Sequence, residues 1–166
     1  VTDISFYESG EENADLNTGV IDGFGYVDLG LSVLWATQNV GASSPVENGD
    51  WFTWGDNTPY PANAELTIDD YKFYNKSSEQ IIKYCIYPEV GEVDNKIILE
   101  PEDDVATQNW SDNWRTPTAE EVNELLENCD LFRIENYLGS GRDGFIFSSR
   151  VPGYEGKEIF IPDNFL

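Results

Sequence analysis

Residues 118–129, TAEEVNELLENC, constrain the fold more tightly than any other part of the chain. Thr118 and Glu121 stand in the T-x-x-E spacing of a capping box, where each side chain satisfies a backbone N–H of the other. Val122, Leu125, Leu126 and Cys129 follow at i, i+3, i+4 and i+7, which predicts a helix with these four on one face. Glu120, Asn123, Glu124 and Glu127 point mostly away from it. Three β-type runs come next, LFRIENY, GFIFSSRV and EIFIPD, separated by the glycine-rich turns LGSGRDG and PGYEGK. Short alternating runs joined by such turns predict an antiparallel meander. A capped helix feeding a meander places the chain in the α+β class.

Upstream the pattern is less regular. Residues 1–25 are acidic and rich in Gly and Asn, and read as a leader or linker with a short strand at ISFY. The domain proper is expected over 26–166. YVDLGLSVLWATQNVGA reads as strand, turn, strand, and WFTWGDNTPYP as an aromatic strand ending in a turn-rich loop. DYKFY is a further strand candidate, and IIKYCIY is ambiguous. KIIL reads as a strand running into Pro101, which suits the first turn of a helix over about 101–109.

The length of 166 residues and 40% hydrophobic composition fit one domain with a real core. The formal net charge is −23, so the surface repels nucleic-acid phosphates and anionic membranes. No apolar run approaches the ~20 residues of a membrane-spanning helix. The absence of histidine excludes Ser-His-Asp triads and His-ligated zinc. Val1 is not a translation start, so the chain reads as a processed or trimmed piece. Two cysteines, Cys85 and Cys129, are too few for a disulfide scaffold; they read as two buried thiols or as one bridge in an oxidising compartment.

Several constellations are candidates for function. Trp114 and Arg115 lie between the two expected helices. Arg115 there reads as a strut, bonding carbonyls or a carboxylate with its stem on a ring, or else as an anion ligand. The acids Asp94, Glu100, Glu102, Asp103 and Asp104 are the best calcium candidates by oxygen count; alternatively, those at 102–104 complement a helix N-terminus. Trp51 and Trp54 are expected on opposite sides of one strand, and Trp35, Trp110 and Trp114 in the core. The loop 55–66, GDNTPYPANAEL, follows Trp54 and offers Asp56, Asn57 and Tyr60: ring, carboxylate and amide, the usual means of holding a neutral sugar. A carboxylate pair alone carries no glycosidase assignment in a chain with 32 acids.

The order GYVDLGLSVLWATQNVGA, WFTWGDNTP, YKFY, KYC, LEPEDDVATQNWSDNWRTPTAEEVNELLENC and IFIP resembles the Fibrobacter succinogenes major paralogous domain family of secreted and surface lipoproteins. DDVATQNW and RTPTAEEV are also similar to the helix pair of formylglycine-generating-enzyme domains. The resemblance, over about Tyr26 to Pro162, implies a C-type-lectin-like fold with two short helices on a twisted antiparallel sheet. It implies that Arg115, Pro117 and Thr118 are determinants of the second helix. Thr116 and Val122 replace a larger apolar residue and a Trp of the family pattern, which implies looser packing there. Relatives continue beyond the IFIP-like segment, which implies that the last strands are absent or supplied otherwise, leaving an open sheet edge. Relatives carry cysteines at both places found here, which implies proximity of Cys85 and Cys129 and a bridge on secretion. The formylglycine-generating activity needs cysteines late in its domain, and none follows Cys129.

The functional expectation is a secreted or surface-anchored, non-catalytic binding or adhesion module, reached through a removed signal or lipoprotein peptide, with a glycan or a host or cell-surface protein as partner and no obligatory cofactor. A glycan-active enzyme using acids near Trp51–Asp56 and a structural domain that self-associates through an open edge are the alternatives.

Overall fold

A computed structural model describes residues 18–62 and 64–163. It is a mixed α/β structure with three small antiparallel sheets and two short α-helices. The expected strand at ISFY lies outside the described residues.

The first sheet is β1 (Thr18–Ile21), β2 (Phe24–Val27) and β3 (Trp35–Ala36), in that order. Asp22 and Gly23 make the β1–β2 turn with φ of 51° and 90°, the doubly left-handed conformation of a tight hairpin. Among the described residues a strand thus covers Thr18–Ile21, inside the segment expected to be a leader. The correction has a local cause: Asp-Gly between two apolar pairs is a hairpin signal, and it outweighs the acidic composition around it.

The second sheet is only β4 (Tyr74–Asn75) and β5 (Gln80–Ile81). A 3-10 turn over Ile68–Asp70 takes the start of the expected DYKFY strand, leaving Tyr74 as its sole strand residue. WFTWGDNTPYP is not a strand: Trp51 and Tyr60 form an isolated bridge, with the Tyr60 N–H 2.7 Å from the Trp51 carbonyl. The intervening segment turns on itself, so Trp51 and Trp54 are both exposed and do not straddle a strand.

KIIL is also irregular, and the first helix starts later than Pro101. Helix α1 spans Val105–Asn109 with Asp104 as its N-cap. Asp104 is the stronger start signal because its carboxylate accepts two N–H groups, from Ala106 at 2.9 Å and Thr107 at 3.1 Å. Helix α2 spans Ala119–Asn128 with the Thr118/Glu121 capping box in place. The meander follows as expected: β6 (Cys129–Ile134), β7 (Gly144–Ser149) and β8 (Glu158–Pro162), in that spatial order.

Val27, Leu29, Leu125, Cys129 and Ile159 form the core, with Leu31, Trp35, Phe147 and Ile161 against it. The buried Ser149 hydroxyl donates to the Leu29 carbonyl at 2.7 Å and fastens the first sheet's exit to the meander. The expected apolar face of α2 is narrower than its periodicity: Leu125 and Cys129 are buried, whereas Val122 is 38% and Leu126 51% exposed. The helix meets β6 and β7. Leu125→Ala is therefore expected to cost about 2–5 kcal/mol in urea unfolding, while Leu126→Ala stays within about 0.5 kcal/mol. Equal losses at both positions would refute the narrow face.

Candidate ligand cleft

The link between α1 and α2 is held by one carboxylate. Beyond capping α1, Asp104 accepts the Thr116 N–H at 2.8 Å through its second oxygen, and Thr107 Oγ1 donates to the Trp114 carbonyl at 2.7 Å. The buried Trp114 is thereby set against Trp110, edge to face with centroids 5.0 Å apart. Trp110 stacks on Phe24 at 4.4 Å, and the Trp114 indole N–H donates to the Ile21 carbonyl at 3.1 Å. Asp22 accepts from Ser111 at 2.6 Å and Asn113 at 2.9 Å, and these bonds hold its carboxyl below the usual range. The hairpin is thus clamped to the helix link.

Arg115 is a strut, as its neighbours predict. Its guanidinium forks onto both Glu121 oxygens, one contact at 2.8 Å, and reaches the Thr116 carbonyl at 3.2 Å. Glu121 also accepts the Thr118 N–H at 2.8 Å. The Arg115 bonds, supported by Thr118 and opposed by desolvation, hold the Glu121 carboxyl at about 2.

These elements wall a cleft of about 450 Å³. It is lined by the run Val33–Ala36 with Trp35, by Ile159–Ile161 of β8, and by Val105 of α1 with Trp110 and Trp114 of the link. The volume is in the range of small-ligand and peptide sites. Its polar side chains are mostly occupied: Gln38 donates to the Ala42 carbonyl at 2.6 Å and Asn39 to the Asn48 carbonyl at 3.0 Å. The Trp35 indole nitrogen is buried without a partner. Trp35 packs against the core as expected, and both it and Trp110 also line the cleft, which that reading did not foresee. The available signal was Val33–Ala36, four apolar residues in a row where a half-buried strand would alternate.

The structure does bring Trp54, Asp56, Asn57 and Tyr60 into one loop, with Trp54 44% exposed. Their polar atoms serve the loop itself. Tyr60 Oη lies 3.0 Å from Asp56 Oδ2 and 3.0 Å from the Asp70 carbonyl. Asp56 accepts the Thr58 N–H at 2.9 Å, and the Asn57 amide donates to the Glu102 carbonyl at 2.9 Å. Asp56, by its hydrogen bond, pushes the Tyr60 phenol up. Gly55 is fixed here by φ +76° and by the Phe73 ring, 2.7 Å from where a Cβ would stand.

Among the acids, Glu100, Glu102 and Asp103 converge, with carboxylate oxygens within 4.8 Å of one another. Asp104 does not join them, since its oxygens cap α1, and Asp94 caps the Tyr84–Cys85 turn. The cation at this convergence is Lys83, 2.5 Å from both Glu100 and Asp103. Lys72 lies 2.7 Å from the other Asp103 oxygen, and Tyr84 donates to Asp103 at 2.8 Å. Burial pushes the Asp103 carboxyl up, but Lys72, Lys83 and Tyr84 outweigh it and hold it at about 2. Lys83 also lies 3.9 Å from Glu102, so a calcium ion there would compete with it for all three carboxylates.

Cys85 and Cys129 are free thiols, which corrects the expected bridge. They are buried in different surroundings: Cys129 belongs to the core with Leu125 and Ile159, while Cys85 donates to the Tyr87 carbonyl at 3.2 Å. Burial pushes the Cys129 thiol up. No family model, curated protein or solved structure matches the chain. No helix among the described residues is long and apolar enough to cross a membrane.

Two measurements check this electrostatic and thiol assignment. A carboxylate depressed by folding adds stability that is complete above its ordinary value and lost as pH falls to its folded value. Asp103 and Glu121, ordinarily 3.8 and 4.5 and here about 2, should make stability fall as pH drops from about 4.5 to about 2. Glu121→Gln should remove part of that slope; an unchanged slope refutes its share. Thiol titration of unreduced, unfolded protein should return both cysteines, and finding neither would restore the bridge.

Proposed function

We propose that the protein is a non-catalytic binding module of the secreted or surface-anchored kind, with a lectin-like α+β fold, and that its site is the cleft between β3 and β8. The observation that carries the proposal is the cleft's makeup: three tryptophans and aliphatic walls around about 450 Å³. A capped helix entering an antiparallel meander supports the lectin-like architecture. Among the described residues the charged pair on the walls, Arg115 and Glu121, neutralises itself. Carboxylates with displaced ionisation, Asp103 and Glu121 among them, are displaced downward, which suits ion pairing and not proton donation near neutrality.

Glycan binding at the 55–66 loop is the second reading, favoured by the exposed ring of Trp54. Nile red, a neutral apolar dye, separates the two. Native protein is expected to enhance its emission, Leu34→Arg at the cleft wall should abolish the enhancement, and Asp56→Ala with Tyr60→Ala should leave it intact. Native melting with no dye enhancement, together with glycan-array binding lost on changing the loop, would transfer the site to that loop.

A further inference from the structure

The two walls of the cleft are strand edges. Consecutive residues of a strand point to opposite faces, so a surface touching three or four in a row meets the strand edge-on. The cleft touches Ile159, Phe160 and Ile161 in β8, and Val33 to Ala36 leading into and through β3. Both strands are terminal in their sheets: β3 pairs only with β2, and β8 only with β7, among the described residues.

The hydrogen-bond alternation shows which groups face the gap. Ser149 donates to the Lys157 carbonyl at 2.8 Å and Asp163 to the Asp143 carbonyl at 2.9 Å, so odd-numbered residues of β8 bond to β7. Phe160 therefore turns its N–H and C=O outward, as does Glu158, and Pro162 turns out a carbonyl with no N–H. On the other wall Thr37 donates to the Gly25 carbonyl at 3.0 Å, so Trp35 bonds to β2. Ala36 turns its backbone groups outward. An apolar small molecule or lipid chain would fill the volume and leave both rows of backbone groups unanswered. A polypeptide strand answers both rows.

We propose that the cleft takes an extended strand of a partner protein, apolar at alternate positions and flanked by lysine or arginine, which pairs with β3 and β8 and joins the two three-stranded sheets into one. The inference rests on the reading of the cleft as the binding site. The basic flanks follow from charge. The described lining residues carry no net charge, Arg133 ion-pairs with Asp163 at the end of β8, and the long-range field is set by the chain as a whole at −23. A second copy would bring another −23 to the contact, so a cationic partner is favoured over self-pairing.

The test uses the full chain and three labelled synthetic peptides: a Val/Thr-alternating strand flanked by lysines, the same strand flanked by glutamates, and the lysine strand N-methylated at alternate residues. Fluorescence anisotropy at low salt is expected to show saturable binding of the first, with both others weaker by about tenfold or more. Ala36→Pro removes an outward N–H that β2 does not use, and should weaken the lysine peptide about tenfold with little change in melting. If that variant unfolds, the N-methyl comparison decides alone. Equal binding of the N-methylated and parent peptides overturns strand pairing. Absence of peptide binding while Nile red still enters overturns the strand proposal and keeps the cleft; absence of both removes the cleft reading itself. A self-dimer by sedimentation that excludes the peptide also overturns the proposal.

Discussion

The buried carboxylate of Asp104 is the constraint on which the rest of this architecture hangs. A charge so enclosed is costly unless each lone pair is answered, and here three backbone N–H groups answer it. Two belong to the first turn of α1 and one to the segment leading into α2. The helix start and the link are therefore made by a single side chain. That link carries Trp110 and Trp114, and these two rings hold the β1–β2 hairpin. Removing the carboxylate would release the helix, the link and the hairpin together.

How much of this could be read in the chain depended on range. The α2 capping box involves residues three apart, and the meander's turns are spelled by glycines a few residues apart; both were legible. Asp22-Gly23 was equally local, but the acidic context around it concealed the hairpin. The aromatic run at 51–60 looked like a strand because Trp, Phe and Tyr favour sheets, yet among the described residues its only pairing is the isolated Trp51–Tyr60 bridge, and propensity without a partner makes no ladder. The cleft was not legible. It is made by residues about 125 positions apart, from Trp35 to Ile161, and nothing in either segment announces the other. The fate of the acids was half legible: their convergence followed from sequence proximity, whereas Lys72 and Lys83 entering from the β4–β5 region did not.

The basic residues of this acidic chain are spent on structure. Lys72 and Lys83 neutralise Asp103 and lie over the Phe73 ring at 5.0 and 5.5 Å, which makes one small second core from a charge cluster and an aromatic group. Arg115 orders the entry to α2, and Arg150 reaches the Glu127 carbonyl at its far end at 2.6 Å. With nine cations against 32 acids, internal partners are scarce on one side only. The surplus acids face outward and set the long-range field that an approaching molecule meets.

The tryptophans are unequally placed, and this has an optical consequence. Trp35, Trp110 and Trp114 wall the cleft, while Trp51 and Trp54 stand 38% and 44% exposed elsewhere. A soluble neutral quencher would darken the exposed pair first and leave emission dominated by the cleft. The unlabelled protein is thus its own sensor: whatever displaces water from the half-buried Trp35 and Trp110 shifts the residual spectrum to the blue.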